Sequence, residues 1–309
     1  MAGFAQPTLT WNLGADLHQL VAYRFMVDAL VAGTIVALVA GPIGWFMVLR
    51  RQTFAGHTLA VVGFPGAAGA ALVGVSAVYG YFAFCVTAAL VIAAVPRARQ
   101  GASSEESAVI GTTQAFALAC GFLFVTLYAG NLNGLDSLLF GNFLGITTTQ
   151  VVVLAVVAAV GLVVLGAIAR PLLFASVDPE VAESRGVPVQ AVSVLFLVLL
   201  GVAAAETSQI TGSLLVFALL VLPAATAQVL TPRPGASLGL AVALALGVTW
   251  VGLAVAYFTP YPIGFWITSV AFGAYLLAHL WRWIRSVPRR RRTVEATRAP
   301  VVGIGPGRP

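Results

Sequence analysis

The chain has 309 residues, of which 60% are hydrophobic and only 8% charged. Those proportions exclude the soluble globular class and indicate a polytopic membrane protein. Its net charge of +6 comes from sixteen basic against ten acidic residues, and every basic residue is arginine. Without lysine the chain has no P-loop lysine, no Schiff-base lysine and no Ser-Lys dyad. Any use of ATP therefore requires another subunit.

Residues 1–25 mix Trp11, Asp16, His18 and Tyr23 with apolar positions and suit an extracytoplasmic interfacial segment. The first basic residue is Arg24, so no positively charged n-region precedes the first span, which would itself act as the insertion signal. Residues 26–284 are expected to form the transmembrane domain, an all-α bundle of about nine spans, each close to the ~20 residues that a bilayer core requires. The spans are expected near 26–49, 59–78, 79–95, 108–129, 150–169, 189–205, 213–230, 236–258 and 263–284, and eight or ten remain compatible with the pattern. Segment 130–149 carries Asn131, Asn133, Asp136 and Asn142 and reads as a weakly polar stretch with room for a short re-entrant helix. Cys85 and Cys120 fall inside expected spans without metal or redox spacing and read as small apolar residues.

Alternation of nine spans places fifteen of the sixteen arginines on one side, with Arg24 alone on the other. By the positive-inside rule that side is cytoplasmic, the N-terminus lies outside and the C-terminus inside. The last stretch, 285–309, contains Arg289 to Arg292 followed by Pro and Gly, and is expected to be a disordered basic tail against anionic lipid rather than a nucleic-acid site.

A charged island, SVDPEVAESRGVPV (176–189), interrupts the apolar runs within the expected cytoplasmic loop 170–188. Asp178 is a good N-cap, Pro179 suits the first helical position, and Glu180 and Glu183 complement the positive end of the helix dipole. Arg185 closes the last turn, Gly186 suits a left-handed cap and Pro188 stops continuation. The spacing predicts a helix over 179–185, roughly 10 Å long at ~1.5 Å per residue. So short a helix needs the bundle or a partner to hold it.

Two apolar segments carry polar or small residues in patterns of their own. In GHTLAVVGFPGAAGAALVG (56–74), Gly63, Ala67 and Ala71 form one stripe and Gly66, Ala70 and Gly74 another, with Pro65 in mid-span. Such stripes allow close helix approach, and a mid-span proline needs neighbours or a cavity to satisfy the freed carbonyl. In ETSQITGSLLVFALLVLPAATAQVL (206–230), Glu206, Gln209 and Thr211 read as a polar entrance at a membrane edge, with Glu206 solvated, and Pro223 precedes a run of small residues. His57, Pro65, Gly66, Glu206, Gln209 and Pro223 are the candidate pathway residues. No acidic residue is expected well inside a span, which weighs against a proton- or sodium-coupled secondary transporter. Three widely spaced histidines give little support to an intramembrane enzyme.

Six segments in order resemble one family: YRFMVDALVAG (23–33), VLRRQTFAG (48–56), SEESAVIG (104–111), LDSLLFGN (135–142), SVDPEVAESRGVPV (176–189) and GSLLVFALLVLPAATA (212–227). Together they are similar to the permease subunits of bacterial ABC importers for zinc, manganese and iron. The resemblance implies a multi-pass protein of the bacterial plasma membrane, not an enzyme, working as a homodimer of permease copies with a separate ATP-binding cassette subunit and an extracytoplasmic metal-binding protein. It makes the charged island a coupling helix, with Asp178, Glu180, Glu183, Arg185 and Gly186 as its contact residues. The family usually carries Asp directly after the glycine that matches Gly56 and His four residues later; here those positions are His57 and Val61, and the serine before that histidine is Ala60. The carboxylate–imidazole pair is thus absent, and His57 is left as the one candidate contact for a transported metal; imidazole suits zinc, copper, iron or nickel better than manganese, and zinc is the expected cargo ahead of manganese or iron. A non-metal or chelated cargo, or a secondary transporter, is the alternative.

Overall fold

The computed structural model describes residues 12–94, 103–128 and 145–297, and among them the chain is helical with no strand. Eleven helices follow in order: α1 (Leu13–Ala22), α2 (Arg24–Leu49), α3 (Thr53–Leu72), α4 (Ala77–Ala94), α5 (Ser103–Leu127), α6 (Thr148–Val177), α7 (Pro179–Ser184), α8 (Val189–Thr211), α9 (Ser213–Leu230), α10 (Pro234–Tyr257) and α11 (Ile263–Thr297). Eight of them are long and apolar enough to cross a membrane, and the apolar part of α9 is a shorter ninth. At ~1.5 Å per residue the whole of α9 reaches roughly 27 Å, close to the ~30 Å of a hydrocarbon core. The expected polar stretch 130–149 lies largely outside the described residues, as do Arg97, Arg99 and 298–309.

Alternation is visible in contacts between distant segments. The C-terminal end of α2 meets the start of α8 through Arg50 and Ser193, the end of α9 through Gln228 and the backbone of Trp45, and the start of α10 through Trp45 and Ser237. Arg50, Arg51, Arg185 and Arg233 consequently gather at one end of the bundle, and Arg24 begins α2 at the other.

Helix α3 is the most enclosed span, with 72% of its apolar window buried, whereas α5 has 17%. The difference separates a central helix from a peripheral one whose outer face suits lipid. Close approach depends on glycine: a Cβ on Gly66 would collide with the carbonyl oxygen of Gly80, and one on Gly80 with that of Gly66, so α3 and α4 touch backbone to backbone. A Cβ on Gly44 of α2 would likewise strike the carbonyl of Leu220 in α9. Prolines 42, 65, 171 and 223 all lie inside helices. Packing against neighbouring spans keeps those helices continuous where a proline in water would break them.

Three expectations need correction. Helix α3 begins at Thr53 rather than 59, so His57 is part of the helix. Helix α8 continues past 205 to Thr211 before Gly212, at φ 76°, turns the chain. Helix α11 continues to Thr297, whereas 285–309 was expected to be disordered from its start. A helix already nucleated in the membrane extends through arginines, which are good helix formers, without a new nucleation cost.

The Gly66–Gly80 contact leaves no room for a side chain. Gly80→Ala is expected to destabilise the bundle by about 1–3 kcal/mol, read as a lower thermal midpoint of the detergent-purified protein, while Gly235→Ala, where a Cβ meets open space, should leave the midpoint unchanged.

Candidate functional site: a capped helix at the base and a polar band inside the bundle

Helix α7 has the start and stop expected of it, one residue shorter than predicted. The Asp178 carboxylate accepts from the Val181 amide at 3.0 Å, and Pro179 occupies the first turn. At the other end Arg185 is the C-cap, Gly186 adopts φ 81°, and the Val187 amide donates to the Ala182 carbonyl at 3.0 Å. Ala182 is fully buried and seats the helix on the bundle. Asp178, Glu180, Glu183, Arg185 and Gly186 are exposed. So are Val177 at 73% and Val181 at 42%, two apolar side chains on the outward surface that the sequence reading passed over. A valine in a charged island is the signal that could have found them. The outward surface therefore combines acidic, basic and apolar groups.

Beside α7 opens a cleft of about 450 Å³ lined by Arg50, Arg51, Ser107, Ser176, Pro179 and Ser193 among others. It separates α7 from the turn that leads into α3.

His57 lies one turn into α3. Its ring meets Phe217 of α9 edge-on at 4.9 Å between centroids, and its Nδ1 is buried without a hydrogen-bond partner among the described residues. The neighbouring Thr58 hydroxyl donates to Gln114 Oε1 of α5 at 2.9 Å. Nine residues on from His57, about half a circle further around the helix, Gly66 faces α4. Pro65 is buried against Gly121 of α5. His57 and Gly66 thus occupy opposite sides of α3, with Pro65 between them around the helix.

Glu206 is the main correction. Expected to be solvated, it is 1% exposed, and its Oε1 has no hydrogen-bond partner among the described residues. Because α8 runs to Thr211, Glu206 sits within the helix rather than beyond its end. Its polar neighbours are mostly satisfied by their own helix: Thr207 donates to Ala203, Gln209 to Ala205 and Thr211 to Thr207. Ser208, two residues on, points to Gly63 of α3, and its Oγ also has no hydrogen-bond partner among the described residues. Two residues along a helix turn the side chain through ~200°, so Glu206 and Ser208 occupy opposite sides of α8. Pro223 is buried in α9. No group of three or more His, Cys, Asp or Glu side chains converges to hold a metal among the described residues.

The comparisons with known proteins fit this architecture. Residues 22–282 match the family model described as the ABC 3 transport family. The chain belongs to the ABC 3 transport family. Among curated relatives, the manganese transport system membrane protein MntC of Halalkalibacterium halodurans is 32% identical over 222 residues, covering 72% of this chain and 75% of the relative. The chelated iron transport system membrane protein YfeC of Yersinia pestis is 32% identical over 264 residues, covering 85% and 81%. The solved structure of PsaBC from Streptococcus pneumoniae in complex with Fab superposes with a TM-score of 0.76 at 26% identity, covering 86% of this chain and 95% of that one. As a member of the ABC 3 transport family the chain is a multi-pass protein of the bacterial plasma membrane and a permease component of an ABC transport system.

An unpaired buried carboxyl costs stability. Glu206→Leu is expected to stabilise the folded bundle by about 1–3 kcal/mol, and differential scanning of the purified protein would reveal it as a raised midpoint. A lowered midpoint would mean that the carboxyl has a stabilising partner in the membrane.

Proposed function

We propose that this permease moves a divalent first-row metal ion inward, driven by a separate ATP-binding cassette subunit and supplied by an extracytoplasmic metal-binding protein. The observation that carries the reading is α7, an independently capped helix too short to stand alone, exposed at the arginine-rich end of a chain that has no ATPase motif of its own. That end is taken as cytoplasmic by the positive-inside rule. Two copies are proposed to assemble, because the single chain offers no complete ligand set among its described residues and a two-fold axis would double each donor.

The relatives' names carry manganese and chelated iron. Imidazole suits iron and zinc better than manganese. Iron is compatible with both lines, so manganese and iron now stand ahead of the zinc that His57 alone suggested. His57 is proposed as the contact residue, with its buried unpartnered Nδ1 supporting the assignment. Losing the family's carboxylate removes two negative charges per pair of copies, which favours loose binding and ready release.

Reconstitution with the ATPase subunit tests the reading. The double variant Glu180→Arg/Glu183→Arg should retain the fold yet lose most ATP-driven uptake, and unchanged uptake and subunit affinity would remove α7 from the interface. Uptake of labelled manganese, iron and zinc by cells carrying His57→Ala should fall by about tenfold for the preferred metal, on the order of 1.4 kcal/mol of lost binding. Wild-type rates for all three would take His57 off the path.

A further inference from the structure

Arg50 ends α2 and grips three segments at once. Its Nη1 donates to Ser176 Oγ at 3.1 Å, its Nη2 to Ser193 Oγ at 2.7 Å and its Nε to Gln52 Oε1 at 3.3 Å. Its guanidinium carbon lies 5.6 Å from the centroid of the Phe196 ring. Ser176 stands two residues before the Asp178 cap of α7, and Ser193 lies in the first turns of α8, just after α7. One side chain therefore holds the chain on both flanks of the docking helix.

On its other side Arg50 is joined to α3 by a tight turn. Arg51 takes a left-handed φ of 57°, the Gln52 amide donates to Met47 at 3.0 Å, and the Gly56 amide donates back to Gln52 at 3.0 Å. Arg51 is the one non-glycine residue with positive φ among the described residues, so the turn is held in a conformation that side chains rarely adopt. His57 follows directly. The route from α7 to the candidate metal contact thus passes through the flanking serines, Arg50 and a turn with little slack.

We propose that Arg50 is the positioning residue that carries displacement of α7 to α3 during transport. Arginine suits this task because its planar fork holds two hydroxyls in fixed relative positions, whereas the ammonium of lysine is a single rotatable point charge. Ser176 can accept from Arg50 because its own proton goes to the Leu172 carbonyl. The cleft of about 450 Å³ beside α7 leaves room for the helix to move relative to the turn. The joint has contacts besides the arginine's own: Phe46 meets Phe196 at 6.2 Å between centroids, and Trp45 bonds Ser237 at 2.9 Å. A hydrophilic tie laid over an already packed joint is suited to transmitting motion more than to holding the fold.

The inference rests on the reading of α7 as the ATPase-docking helix. The test uses the full complex in proteoliposomes, with whichever of manganese, iron or zinc the wild type moves fastest, and measures metal moved per ATP hydrolysed. Arg50→Lys and the double variant Ser176→Ala/Ser193→Ala are each expected to assemble, to keep at least half of wild-type ATP hydrolysis, and to move about tenfold less metal per ATP. The serine variant retains Arg50, so it decides the matter if Arg50→Lys fails to fold. A wild-type ratio in the serine variant, or a loss of hydrolysis and thermal midpoint in parallel with transport, would overturn the role. If the wild-type complex moves none of the three metals, the proposed cargo fails instead. Normal metal transport in wild type and both variants leaves the cargo standing and removes only the role of Arg50.

Discussion

Everything in this protein depends on the absence of water along the spans. A backbone amide or carbonyl in hydrocarbon must find its partner within the chain, and a helix does this locally at every residue. Once all spans are helices, the remaining freedom lies in how closely they approach. Helix α3 sets that distance, because Gly66 brings α4 against it backbone to backbone and Gly63 leaves room for the Tyr81 ring of α4 and the Ser208 hydroxyl of α8. Its neighbours then have fixed places: α4 behind Gly66, α5 against Thr58, and α9 across His57.

The two ends of α3 serve different tasks. Near Arg50 the helix is reached through a turn tied by hydrogen bonds to the segments flanking α7, beside a cleft. Further along, glycine contacts make it rigid against α4. Backbone contact thus fixes the Gly66 half of α3, and a charged tie holds the turn at its base. His57 lies one turn from that base.

Glu206 belongs to a different side of α8 from Ser208 and from the contacts with α3. It has no place in the chain of contacts running from α7 to His57. Its buried Oε1 has no hydrogen-bond partner among the described residues, and ionisable groups inside membrane spans are rare because their burial is costly.

The sequence by itself determined the class and order of the spans, because hydropathy and the bilayer thickness leave few alternatives. It also determined the ends of α7, where Asp178, Pro179 and Gly186 act through local backbone geometry. What it misjudged was burial near helix ends: polar letters in ETSQIT suggested an edge, and only the structure placed Glu206 inside α8. Helical hydrogen bonding to Ala203, Ala205 and Thr207 lets Thr207, Gln209 and Thr211 lie inside the bundle, an accommodation that hydropathy does not register. The same limit hid the grip of Arg50 on Ser176 and Ser193, residues 126 and 143 positions away, because contacts between distant segments arise from packing that no local pattern encodes.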